Sequence, residues 1–241
     1  MRLLESVLDV FLPRVCLVCG RRLFRNESHL CLHCIADMPL THFWERTHNL
    51  MADKFNDVIN ARGGGDGEMY AYACALFFFK PDSPYRDILY DIKYKGNIAA
   101  GKHMGKMLGA KMASADMFSD VDAVVPVPLH WRRKWKRGYN QAEIIATGIA
   151  EAMGLPVRTA LLKRVKYTRT QTRLDVAGKM ENVRNAFDAG SDAREELKHI
   201  LIVDDVLTTG STIYECFRSL RAVFPPPVRI SVATLGFVGG A

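Results

Sequence analysis

"ILIVDDVLTTGST", residues 200–212, joins four aliphatic residues to two adjacent carboxylates and then to a turn of hydroxyls and glycine that opens a helical pattern. A short, unbroken apolar run is what a strand covered on both faces needs, and parallel sheets supply that environment. In an open α/β sheet, ligands bind beyond the carboxyl ends of the strands, so the reading puts Asp204 and Asp205 at such an end. The turn behind them, Thr208, Thr209, Gly210, Ser211 and Thr212, offers backbone N–H groups and hydroxyls suited to a phosphate at a helix N-terminus. Glycine at 210 lets the backbone come close to a ligand. Two carboxylates beside such a cradle fit a sugar phosphate: the acids take vicinal hydroxyls, directly or through Mg²⁺, while the turn holds the phosphate. The missing Gly-Lys pair excludes a Walker A loop.

Outward from this stretch, strand-like and helix-like segments alternate. "AYACALFFF" (71–79) reads as a strand, followed by helices near 84–95 and 99–113, a strand at 123–127 and a helix near 139–153. After a basic stretch come a strand at 199–203, a helix at 211–223 and a last strand at 228–235. Alternation of this kind predicts an α/β fold, a mostly parallel sheet with helices on its faces. The 241 residues leave room for one such domain and a small appendage. No apolar run approaches the roughly 18–20 residues that cross a bilayer, so no membrane insertion is expected. "MRLLESVLDVFLP" carries Glu5 and Asp9 among its apolar positions and reads as a short amphipathic helix stopped by Pro13 rather than as a signal peptide. A cytoplasmic address follows as an expectation.

Four of the six cysteines lie in "CLVCGRRLFRNESHLCLHC": Cys16, Cys19, Cys31 and Cys34 form two C-x-x-C pairs separated by eleven residues. Each pair makes a tight turn with two thiolates, and a short hairpin brings the turns together as a tetrahedral zinc site. The rivals are a redox pair, which needs only one C-x-x-C, an iron–sulfur cluster, and disulfides, which suit an oxidising compartment. A module this small buries little core, so a structural zinc carries most of its folding free energy. Cys74 and Cys216 read as buried thiols.

Charge is localised. Residues 129–137 hold five cations, and 158–184 hold eight against two acids, which exceeds the whole-chain charge of +7 and leaves the remainder net acidic. Concentration of this kind favours an anionic partner over general solubility. Trp131 and Trp135 alternate with Arg132, Arg133, Lys134, Lys136 and Arg137, a pattern that suits single-stranded DNA held by cations and stacked bases. The same spacing of four equally suits two tryptophans packed on one helix face.

"ILIVDDVLTTGST" resembles the signature of type I phosphoribosyltransferases, which bind phosphoribosyl pyrophosphate. In order come a four-cysteine module, "ILYDIKYKG" (88–96), "VVPVPLHWRRKWKRGYNQA" (124–142), "RTQTRL" (169–174), "ENVRNAF" (181–187) and the Asp-Asp motif. Across nearly the whole chain this is similar to the ComF/GntX family of competence-related proteins. The resemblance implies a type I phosphoribosyltransferase-like parallel sheet flanked by helices, with a small N-terminal zinc-ribbon module. It divides the chain into an N-terminal helix and double zinc ribbon-like module (1–45), a linker (46–69) and a phosphoribosyltransferase-like domain (70–241). Asp204 and Asp205 then contact ribose and Mg²⁺, and Thr208 to Thr212 hold the 5′-phosphate. Lys93, Val127, Pro128, Arg137, Asn140 and Gln141 lie on the pyrophosphate side, and residues 163–174 match a hood loop that closes over the substrate. One departure is Lys179, where the family usually has arginine, with Val176, Ala177 and Gly178 in place of more polar residues. The resemblance implies phosphoribosyl pyrophosphate as ligand and the handling of single-stranded DNA in natural transformation, with a DNA-uptake helicase or channel as a further partner. The alternative is an active phosphoribosyltransferase that passes ribose 5-phosphate to a base or amine.

Overall fold

The computed structural model describes residues 13–63, 67–165, 186–189 and 196–239. The expected N-terminal helix, most of the hood loop and the stretch around Lys179 lie outside the described residues. In chain order the elements are α1 (Leu32–Ala36), α2 (Leu50–Ala61), β1 (Ala73–Phe78), α3 (Arg86–Tyr94), α4 (Ile98–Ala113), β2 (Ala123–Pro126), α5 (Trp131–Arg137), α6 (Gln141–Met153), β3 (Leu162–Arg164), β4 (Phe187–Ala189), β5 (His199–Leu207), α7 (Ser211–Arg221) and β6 (Arg229–Phe237).

Four strands make a parallel sheet in the order β1-β6-β5-β2, flanked by helices. Its central strands are buried along almost their whole length, which is why "HILIV" and "ISVATLGF" show no alternation of polar and apolar residues. Both outer edges are covered: Leu40 bridges Phe77 beside β1, and Val157 bridges Val124 beside β2. Covering an edge removes a template for unwanted pairing. A separate antiparallel pair, β3 and β4, brackets residues 165–186 and leans on α7, where the Ser219 hydroxyl donates to Phe187 O.

Residues 46–69, expected as a linker, contain α2. Its side chains Met51, Ala52, Phe55 and Ile59 are buried at i, i+1, i+4 and i+8, one apolar stripe of a helix. Asn49 caps it by accepting from Met51 N and Ala52 N, and also donates to Ala73 O, so the helix start is tied to β1. The glycine-rich composition of 60–69 hid this because the apolar stripe stops just before it.

Helices α4 and α6 pack with backbone against backbone. Gly101, Gly105 and Gly109 recur every fourth residue on α4 and meet Ile144, Ile145, Gly148 and Ile149 of α6. A side chain at Gly148 would fall on Lys102 O and lie 2.8 Å from Lys106 N, both backbone atoms that cannot rotate away. Gly148→Ala is therefore expected to destabilise the protein by about 1–3 kcal/mol through overpacking, measured by urea denaturation.

Candidate functional site

The site grows from unequal strand lengths. β2 ends at Pro126, opposite Val203, and Val127 N closes the ladder on Val203 O at 2.8 Å. Proline has no N–H for a continuing ladder. β5 runs on to Leu207 because β6 still pairs with it through Leu207↔Phe237. The sequence places the strand end at Val203; the structure moves it four residues further, so Asp204 and Asp205 lie within β5 where its β2 side has opened.

Adjacent strand positions point to opposite faces, and the two acids have different surroundings. Asp205 is buried and its Oδ2 lies 2.8 Å from Lys93 Nζ of α3. Burial disfavours the Lys93 ammonium, but the charges of Asp205 and Asp204 outweigh this and hold it above the ordinary lysine range. Asp204 keeps partial solvent access and accepts from Asp205 N at 2.8 Å. Desolvation and then the Asp205 charge push its carboxyl up to about 7, against the pull of Lys93 and Arg164. Arg164, on β3, stacks on Phe187 at 5.0 Å and is within electrostatic reach of Asp204, Arg133 and the buried Cys216. The acid pair thus feels two cations, Lys93 in contact with Asp205 and Arg164 acting on Asp204. The resemblance offered Lys93 for the pyrophosphate side, not as the partner of Asp205, and nothing in the sequence pointed to Arg164.

The turn after β5 exposes Thr208 and buries Gly210 and Ser211. Gly210 precedes α7 at φ 75, a left-handed conformation that glycine adopts without strain. Its missing side chain does not serve close packing, since the nearest protein atoms would be 3.9 Å away. Gly210, as the N-cap, offers no side chain, and Thr209 Oγ1 accepts from Ser211 N at the long distance of 3.5 Å, so the start of α7 is only weakly capped among the described residues. Thr209 Oγ1 and Ser211 Oγ are 3.1 Å apart, and Arg62, stacked on the Tyr214 ring at 4.6 Å, reaches Ser211 Oγ at 3.5 Å. A cavity of about 630 Å³ opens alongside, lined by Leu50, Asp53, Lys54, Arg62, Thr209 and Ser211 among others. Arg62 and this cavity were missed because α2 was read as linker.

Of the residues expected on the pyrophosphate side, Lys93 stands beside the acids, while Val127 and Pro128 form the bend that leaves β2. Asn140 is buried, caps α6 through Ala142 N and donates to Val127 O at 3.0 Å, bracing that bend. Arg137 bonds Gln141 and stacks on Tyr94 at 5.4 Å. The segment "WRRKWKR" is α5, and its tryptophans are not buried: Trp131 is 64% and Trp135 87% exposed.

At the other end of the chain, one sulfur from each of Cys16, Cys19, Cys31 and Cys34 lies within 4.8 Å of the other three, a group that could hold a metal ion. Gly20 turns at φ 69 just after the first pair. Cys31 N donates to Cys16 Sγ at 3.4 Å and Cys34 N to Cys31 Sγ at 3.5 Å; the latter bond leads in holding the Cys31 thiol down to about 6. The group is fastened to the sheet, with Tyr85 Oη donating to Cys34 O at 2.8 Å and Phe78 N to Pro39 O at 2.8 Å.

No family model matches the chain. It is 39% identical to competence protein F of Haemophilus influenzae over 101 residues, 42% of this chain and 44% of that protein. It is 40% identical to DNA utilization protein YhgH of Salmonella typhimurium over 103 residues, 41% of this chain and 43% of that protein. An amidophosphoribosyltransferase of Staphylococcus aureus is 28% identical over 164 residues, 68% of this chain and 28% of that enzyme. Among solved structures, the glutamine phosphoribosylpyrophosphate amidotransferase from B. subtilis complexed with ADP and GMP is similar at a TM-score of 0.36 and 26% identity, covering 56% of this chain and 26% of that one. The matched part is thus less than half the length of the competence and DNA-utilization relatives quoted.

The ion pair at the centre of the site gives a direct expectation. Lys93→Met leaves the Asp205 carboxylate buried without its partner and is expected to lower stability at neutral pH by about 1–3 kcal/mol. In an Asp205→Asn background the same substitution should have a smaller effect, read from a double-mutant cycle of urea midpoints.

Proposed function

We propose that this chain, a member of the ComF family as its competence and DNA-utilization relatives support, binds phosphoribosyl pyrophosphate and serves DNA utilization by handling single strands. The observation that carries the first half is the opened stretch of β5: two carboxylates under the charges of Lys93 and Arg164, followed by a left-handed glycine and a helix start lined by hydroxyls. Carboxylates suit ribose hydroxyls and oxygen-seeking Mg²⁺, and the N–H groups and hydroxyls of Thr208 to Thr212 suit a 5′-phosphate. Lys93, with Arg137 and Gln141 near the mouth of the β2 bend, supplies the positive side for pyrophosphate. Mg²⁺ bound with the substrate would offset phosphate charge at Asp204 and Asp205.

The reading of DNA rests on α5. A short helix that exposes two tryptophans among cations has no fold-building use for them, whereas bases stack on such faces while cations meet phosphates. A second reading, an active phosphoribosyltransferase, draws on the similarity to the Staphylococcus enzyme over 68% of this chain. Pyrophosphate release from phosphoribosyl pyrophosphate with Mg²⁺ across a panel of bases and amines separates the two: release with any acceptor favours turnover, and none beside measurable binding favours a binding role.

We assign zinc to the four cysteines. A tetrahedral ion with Zn–S bonds of about 2.3 Å sets sulfurs about 3.8 Å apart, and Cys19 Sγ and Cys31 Sγ are 3.7 Å apart.

Calorimetry should show phosphoribosyl pyrophosphate binding with Mg²⁺ that is lost in the double variant Asp204→Asn with Asp205→Asn; retained binding there would refute the pocket. Because the Asp204 carboxyl sits near 7, affinity should fall as pH drops from 8 to 6 and proton release should accompany binding near neutrality. Asp204→Asn should abolish that slope. Native mass spectrometry should find one zinc per chain, and chelation should expose all four thiols to alkylation while leaving Cys74 and Cys216 slow to react, since both are fully buried.

A further inference from the structure

The exposed tryptophans of α5 have neighbours on another helix. All the exposed tyrosines and tryptophans among the described residues lie on α3 and α5: Tyr90 at 52%, Tyr94 at 65%, Trp131 and Trp135. Tyr90 and Tyr94 are one turn apart, with ring centroids 5.0 Å from each other. Cations accompany three of these four rings among the described contacts: Arg132 lies over Trp131 at 5.1 Å, Arg137 over Tyr94 at 5.4 Å, and Lys95 over Tyr90 at 5.7 Å. Arg137 is the last residue of α5, so its stack on Tyr94 joins the two helices. Tyr139, just beyond α5, donates to Ile92 O of α3 and holds the join in place.

Acids are present too, and they are engaged. Asp91 pairs with Lys95 at 2.7 Å and is itself buried, while Asp87 lies 3.4 Å from Arg86. Tyr90 and Tyr94 leave the core to Ile88, Leu89 and Ile92 on the opposite face of α3. Aromatic faces this exposed gain nothing from the fold, and rings in series with cations between them match the repeat of bases and phosphates along one strand. Lys93, between the two tyrosines in sequence, turns inward to Asp205, so α3 carries the outer stack and the pocket's cation on different faces.

We propose that single-stranded DNA held by α5 continues across Arg137 onto α3, where Tyr94 and Tyr90 provide two further stacking faces beside the mouth of the acid site. The inference rests on the DNA-handling reading of α5 and extends it to residues that reading does not include.

The test is fluorescence anisotropy with a labelled oligothymidine of about 20 nucleotides, long enough for both helices. The double variant Tyr90→Ala with Tyr94→Ala should bind about tenfold or more weakly, from a stacking contribution of roughly 1–3 kcal/mol per base, with the salt dependence of binding unchanged. Tyr90→Phe with Tyr94→Phe should restore affinity, since the ring and not the hydroxyl stacks. Unaltered thermal midpoints confirm that these surface changes leave the fold intact. An oligonucleotide carrying 5-iodouracil should crosslink to Tyr90 or Tyr94 on irradiation. Wild-type affinity in the alanine variant, while Trp131→Ala with Trp135→Ala weakens binding, would confine the strand to α5 and overturn the extension alone. Equal affinity for duplex and single strand would remove the stacking argument, and no binding by the wild type would overturn the DNA reading with it.

Discussion

The difference in length between β2 and β5 is the constraint on which the site depends. A proline ends β2 at residue 126, while β6 keeps β5 extended to Leu207, so the stretch that bears the acids is paired on one side and open on the other. Had both neighbours continued, Asp204 and Asp205 would have been carried into a closed ladder where two carboxylates find no ligand. The opening also costs something, because two like charges on adjacent residues repel. Lys93 and Arg164, from different elements, offset that repulsion and leave Asp204 close to its titration point near neutral pH.

The cysteine group and the sheet are one connected structure. The segment after the second C-x-x-C pair covers the free edge of β1, and Tyr85, at the start of α3, returns a hydrogen bond to Cys34. A metal held there would have a consequence beyond its own small module: it would fasten the chain that protects an edge strand. Helix α2 then continues over the sheet, adding Arg62 and the wall of the cavity beside the α7 start.

Much of this was readable from residues. Continuous apolar runs located the central strands, and the helices read near 99–113 and 139–153 match α4 and α6, which Asn97 and Asn140 cap through Ala100 N and Ala142 N. What misled was composition: the glycine-rich 60–69 made α2 look like linker, although its stripe of Met51, Phe55 and Ile59 spans barely three turns. The end of β5 was misplaced for a similar reason, since polar residues at 204 and 205 look like a boundary when the partner strand is not known.

The amino-acid sequence by itself determined the alternation of strands and helices, the pairing of four thiols into a group, and the juxtaposition of acids with a hydroxyl-rich turn, because each depends on residues close along the chain. Only the tertiary structure decided that Lys93 and Arg164 bring their charge to those acids, that Arg62 reaches the turn, and that Arg137 lays α5 against the tyrosines of α3. These are meetings of side chains forty to a hundred and fifty residues apart, and no local preference encodes them; they follow from which elements the buried sheet draws together.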